Sequence, residues 1–279
     1  MPLDSPEAGF LPLAFPTYHQ ALEWCEAERA TRVAATRHAA ECGQHIIAWK
    51  LPAVLWNFFR LRGHWADWII THETGLAATR YLHDRHGEAW IANNLGDGYR
   101  GLGRFEEALA HLQQALVVWR ELDDRWGEGW TLYHLGTIYR VLRRFEEALE
   151  YYHQAVARGR EINKKWGEAW SLHSLASTYR SMGRFEESFG HYHQALIVYR
   201  EINDRWGEGR TLYNVGEVLH GTGRLAEARV SWHQALAIFE ELGDSQAVEV
   251  RARLETLDND DPYQISLPYQ NAIHQGSGS

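Results

Sequence analysis

From about residue 86 onward, apolar positions in this chain fall three and four apart, the spacing that gathers them on one face of a helix. The pattern itself then recurs every 40 residues, so that four units lie on one another: 86–125, 126–165, 166–205 and 206–244. A first helix in each carries Leu95-Gly96 with Tyr99, Leu135-Gly136 with Tyr139, Leu175-Ala176 with Tyr179, and Val215-Gly216 with Leu219. A break follows at Gly101-Leu102-Gly103, Leu142-Arg143, Met182-Gly183 and Thr222-Gly223. The second helix then opens on Arg104-Phe105-Glu106-Glu107-Ala108 or a close variant, whose acidic first turn suits the positive end of a helix. Its apolar face, Ala108, Leu112, Ala115 and Leu116 in one unit, includes small residues that let paired helices approach closely.

Carried back by one period, the register sets Trp65 under Phe105, Phe59 under Tyr99 and Arg60 under Arg100, which predicts a degenerate unit over 46–85. Pro52 falls early in its first helix and is expected to kink it or shift its start. Before the array, 17–45 reads as N-terminal capping helices. After it, 245–258 reads as a C-terminal capping helix and 259–279 as a flexible tail. A fixed period in this range marks a stack in which each unit buries its apolar face against its neighbours.

Composition narrows the class. Hydrophobic content of 45%, with 13 Trp and 13 Tyr, supplies core material, while strand-like alternation is scarce, so the fold is all-α. A formal charge of −9 opposes binding to nucleic acid through its phosphates. Only Cys25 and Cys42 are present, both expected as free thiols, and no apolar run is long enough to span a membrane. A cytoplasmic location is the resulting expectation.

A helix pair with Leu95, Gly96, Tyr99 and Ala108 at these offsets resembles the tetratricopeptide repeat. That resemblance implies a right-handed α-solenoid of about five helix pairs, whose first helices line a concave groove that binds a protein or peptide segment. The usual unit is 34 residues, and the extra length here is expected around the inter-repeat turn and Trp-Gly-Glu segment. A narrower resemblance rests on Pro12-Leu13-Ala14-Phe15, on the segment from Ala21 to Arg29, and on Gly63-His64-Trp65-Ala66-Asp67-Trp68. These look like the C-terminal arm of bacterial STAND (NB-ARC) regulatory ATPases of the antibiotic-regulator kind, which implies a sensor or interaction arm whose partner is a ligand or its own ATPase domain. The chain carries no Walker A sequence, so the ATPase activity is not carried over.

No motif supports catalysis, a cofactor or a metal. Gly96-Asp97-Gly98-Tyr99-Arg100-Gly101 fits a dinucleotide pattern only in letters, because it lies inside a helix with no strand before it. His191 and His193 are two apart and point to different faces of their helix, while His153, His193 and His233 recur at the period as a packing or surface position. Two tryptophan columns stand out. Trp126, Trp166 and Trp206 read as staples between units, packed on Leu122, Ile162 and Ile202; Trp90, Trp130 and Trp170, a turn further on, read as core or as a stacking platform.

The leading candidate site is the ladder Arg60, Arg100, Arg140 and Arg180, ending in His220, near the ends of the first helices. It reads either as compensation of helix C-termini or as a basic stripe for carboxylates of an acidic segment. Asn93, Asn94, Tyr133, His134, His173, Ser174, Tyr213 and Asn214 would share the groove. The function expected is a non-catalytic binding scaffold. The alternatives are an oligomerisation or autoinhibitory module, and a receptor for a small signal molecule or signalling peptide.

Overall fold

The computed structural model describes residues 15–260, with side chains described through residue 257. All regular structure among them is helical. Two short helices, α1 (Tyr18–Ala27) and α2 (Arg29–Glu41), precede α3 (His45–Arg62) and α4 (Trp65–Tyr81). Then come α5 (Arg85–Gly101), α6 (Phe105–Glu121), α7 (Arg125–Val141), α8 (Phe145–Glu161), α9 (Lys165–Ser181), α10 (Phe185–Glu201), α11 (Arg205–Gly221), α12 (Leu225–Leu242) and α13 (Gln246–Asp260). Pro52 is accommodated inside α3, which runs on past it. The tail expected over 259–279 lies outside the residues whose side chains are described.

A left-handed residue closes the turn after each helix from α2 to α12, and it recurs every 20 residues: Gly43, Gly63, His83, Gly103, Asp123, Arg143, Asn163, Gly183, Asn203, Gly223 and Gly243. The unit of 40 is therefore two equal halves. Each half from α5 to α11 is a 17-residue helix followed by a three-residue turn, so the extra length lies in the helices and not around the inter-repeat turn. At Arg143 an L side chain holds φ at 61°, a conformation that glycine takes at Gly103 without a Cβ clash.

The chain divides into two compact units, with the boundary inside α9 between Ser171 and Leu172. In the first, α3 pairs with α4, α5 with α6, and α7 with α8, while α4 packs on α5 and α6 on α7. Its core holds Ala92, Leu95, Ala108, Leu112, Ala115, Trp119, Leu132 and Leu135. In the second, α11 pairs with α12, and α10 and α13 flank them around Tyr192, Leu212, Trp232, Ile238, Phe239 and Val250. Cys25 and Cys42 are free thiols. No helix among the described residues is long and apolar enough to cross a membrane.

Candidate functional site

The Trp-Gly-Glu segment has three positions with three different jobs, and its glutamate is a buried charge. Glu128 is 2% exposed; it accepts from Arg120 Nε at 2.9 Å, lies 2.9 Å from Arg158 Nε and 3.2 Å from Arg125 Nη1. Burial alone would raise its carboxyl, but Arg120, Arg158 and Arg125 hold it below the ordinary carboxylate range. The same bond forms from Arg80 to Glu88 (3.2 Å), Arg160 to Glu168 (2.7 Å) and Arg200 to Glu208 (2.7 Å), always across eight residues. Each links the end of one second helix to the start of the next first helix. The sequence held a signal for this, an arginine eight places before each glutamate, that helix periodicity alone does not register.

The glycine of the segment seats the true joint. A Cβ on Gly127 would lie 2.4 Å from the Trp119 ring, and one on Gly207 would lie 2.3 Å from the Tyr199 ring. Trp119 and Tyr199, from the preceding second helices, are fully buried there. This corrects the expectation for two tryptophans of the segment: Trp126 is 41% and Trp166 is 46% exposed, so they are not the staples, whereas Trp206 is partly buried against the core of the second unit. The space a staple would fill is taken by Trp119, and Trp126 is turned outward.

What these outward rings do is stack. Trp90 and Trp126 have centroids 5.4 Å apart with planes 10° from parallel, and Trp126 lies 6.5 Å from Trp130. Trp130 is 5.6 Å from Trp166, and Trp166 is 5.0 Å from Trp170. Tyr133 stacks on Trp130 at 5.6 Å and meets Trp170 edge-on. The two columns, separate in sequence, make one aromatic wall. It borders a cavity of about 410 Å³ in the first unit, lined also by Trp56, Asn94, Arg125, Lys164, Lys165, Gly167 and Ser171. Asn94 is 6% exposed, and its buried Nδ2 has no hydrogen-bond acceptor.

Of the residues singled out in the sequence, Trp90, Asn94, Trp130, Tyr133 and Trp170 are thus brought together. The arginine ladder is not part of this cavity. Arg100 donates twice to Asp97 Oδ1, at 2.8 and 2.6 Å, and Asp97 also lies 3.6 Å from His134. Burial works to raise the Asp97 carboxyl, yet His134, Arg100 and Arg60 hold it below its usual range. Burial pushes His134 down to about 4. Arg60 bonds Asn57 and lies over Trp56, Asn93 accepts from Thr131, and Arg140 has a buried Nε without an acceptor. In the second unit, Arg180 pairs with Glu217 at 3.8 Å and His173 with Thr211 at 2.9 Å. There Tyr213 donates to Glu249, Asn214 donates to the Arg210 carbonyl, His220 lies on Trp232, and Ser174 is buried. Arg210 stands where the column would have another tryptophan and sits 4.8 Å over Trp206. Among the described residues, no three His, Cys, Asp or Glu side chains are grouped to hold a metal ion.

The helix pairs, their offsets and the recurring Arg–Glu ties define a repeat protein of helical hairpins. A tetratricopeptide repeat family model matches residues 69–121, 87–161, 127–201 and 167–241, and the chain belongs to that family. Among solved structures it is similar to BtubC (BKLC) from P. vanneervenii, at 20% identity over 93% of this chain and 99% of that one, with a TM-score of 0.61. It is similar to aspartyl phosphate phosphatase F from Bacillus subtilis at 15% identity, covering 75% of this chain and 56% of that one, with a TM-score of 0.64. A Rap protein complexed with competence and sporulation factor matches at 15% identity, 87% and 80% coverage, and a TM-score of 0.56. At such identities the likeness is one of fold. A search of curated protein sequences finds no match.

Proposed function

We propose that the chain is a non-catalytic scaffold that binds a protein or peptide segment, with the aromatic cavity of the first unit as its main contact. One observation carries this reading: five tryptophans from three successive first helices share one wall, and two of them are more than 40% exposed. Large aromatic side chains at the surface are costly to hydrate and are the side chains that dominate binding energy when covered. Asn94 adds an unmet donor suited to a backbone carbonyl. The solved Rap protein complexed with competence and sporulation factor is a protein of similar fold with a bound partner, which supports this reading.

In this reading the repeats occupy 46–244, with α1 and α2 as one cap and α13 as the other. Arg140 is the member of the arginine column that keeps an unmet donor, and it would favour an acidic segment. The setting we propose is the cytoplasmic sensor or interaction arm of a signalling, transcription-regulating STAND ATPase, which the segments around Ala21–Arg29 and Gly63–Trp68 support. An encoding frame without a Walker A segment would remove that setting and leave the scaffold.

The test is selection of peptides from a displayed random library on the full chain, followed by calorimetry. Trp130→Ala is expected to weaken the selected peptides by about tenfold or more, the order of one lost aromatic anchor. Equal affinity for the variant and the parent would overturn the site.

A further inference from the structure

In the four regular units from residue 86 onward, the first helix is preceded by an aspartate that caps it, except at α9. Asp84 accepts from the Gly87 amide at 2.8 Å, Asp124 from Gly127 at 2.9 Å, and Asp204 from Gly207 at 2.8 Å. At the equivalent position before α9 the residue is Lys164, whose ammonium has no lone pair to accept a hydrogen bond. The substitution therefore removes a cap worth about 1 kcal/mol and places a positive charge beside the positive end of a 17-residue helix. Both effects cost stability in the isolated chain, and both favour an anion.

The place where this happens is the aromatic cavity. Lys164, Lys165, Gly167 and Arg125 line it together with the tryptophans, and no carboxylate is among its lining residues. Arg125 is already engaged, 2.7 Å from Asp123 and 3.2 Å from Glu128. Lys164 is exposed and forms no ion pair among the described residues. An independent observation on another helix points the same way: Asn94, on α5, lines the same cavity with a buried amide donor that no acceptor meets. Acceptors are thus wanted at the cavity's polar points and flat apolar surface along its wall.

We infer that the cavity takes an aromatic ring bearing a carboxylate, the ring against the Trp90–Trp126–Trp130–Trp166–Trp170 wall and the carboxylate beside Lys164 at the uncapped start of α9. This rests on the scaffold reading above and names the chemistry of its ligand. Such a group is presented by a free aromatic acid and by a peptide whose last residue is aromatic; the shared requirement is an anion close to a ring.

The experiment titrates the full chain with N-acetyl-L-tryptophan and with its amide, followed by ligand-observed NMR. The acid should bind about tenfold more tightly than the amide, the scale of a charge-assisted contact at a helix end. Lys164→Asp installs the cap that three other units already carry, so it should fold with an equal or higher thermal midpoint while erasing the preference. Asn94→Leu, close in size, should weaken the acid severalfold with helicity kept. Short peptides ending in Trp, as free acids and as amides, separate the sources: a peptide acid much tighter than N-acetyl-L-tryptophan marks a chain terminus, and equal affinity marks a small acid. The inference fails if acid and amide bind wild type equally, if Lys164→Asp keeps the preference, or if neither probe binds. Equal binding that is still lost in Trp130→Ala would sink the carboxylate and spare the aromatic site.

Discussion

Trp90 and Trp126 stack almost in parallel, 5.4 Å between centroids, although they come from the first helices of successive repeats. The pair joins two positions that differ by four within their own units, so stacking alternates between columns along the wall. Trp119, by contrast, is buried beneath Gly127 and carries the joint. The two kinds of tryptophan should separate by experiment. Trp119→Ala is expected to cost about 3–5 kcal/mol, as large core truncations do, whereas Trp126→Ala should cost about 1 kcal/mol or less and weaken ligand binding. Denaturation and calorimetry on the two variants check both halves, and equal stability losses would contradict the assignment.

The glycines of the recurring segment should not behave alike. Gly127→Ala drives a Cβ to 2.4 Å from the Trp119 ring and is expected to lower the thermal midpoint by several degrees. Around Gly167 a Cβ meets nothing within 4 Å, so Gly167→Ala should be neutral or stabilise by up to about 1 kcal/mol through helix propensity. Circular dichroism melts of the pair decide this.

Acid should destabilise the first unit through two histidines. Burial pushes His72 down to about 3, its Nδ1 donating to the Trp68 carbonyl at 2.9 Å. His134 is pushed down to about 4, first by burial, with Arg100 and Arg60 adding to it against the pull of Asp97. In the unfolded chain both imidazoles take a proton near pH 6.5, so below that pH the unfolded state binds more protons. Their contribution is complete above about pH 6.5 and is lost as pH falls towards the folded values, by about 1.4 kcal/mol per pH unit for each histidine. Urea melts between pH 7 and 5 should show this slope, and His72→Phe should reduce it.

Reversing the charge of Arg100 is expected to damage the fold before it reports on binding. Its guanidinium neutralises Asp97, which is buried with His134. Arg100→Glu would set two carboxylates against each other out of water, a loss of about 3–5 kcal/mol. Native-state hydrogen exchange should show α5 and α7 opening more readily, while Arg143→Glu, at an exposed turn, should leave them unchanged.

Helix pairs, their order and the 40-residue register were legible because each rests on local spacing: apolar residues three and four apart, a break between the two helices of each unit, acidic first turns. Part of the site was legible too. Trp90, Trp130 and Trp170 share a column, and Asn94 and Tyr133 follow from helical offsets. The broken cap at Lys164 was also in the sequence, as the one member of Asp84, Asp124, Lys164 and Asp204 that departs from the register, but its meaning depends on what that helix start faces.

Sequence by itself therefore determined a tetratricopeptide array and the identity of its repeated positions. Tertiary structure decided which repeated positions are spent on the scaffold and which remain available. Trp119 or Trp126 could each have filled the space over Gly127, and only packing gives it to Trp119. Arg100 could have faced a groove; its pairing with Asp97, three residues before it, is local, but only packing buries Asp97 beside His134 of the next first helix and so commits Arg100 to it. The reason is one of range: helix period fixes the face a residue occupies, whereas contacts such as Trp90 with Trp126 and Asp97 with His134, 36 and 37 residues apart along the chain, are fixed by how one helix pair settles on the next.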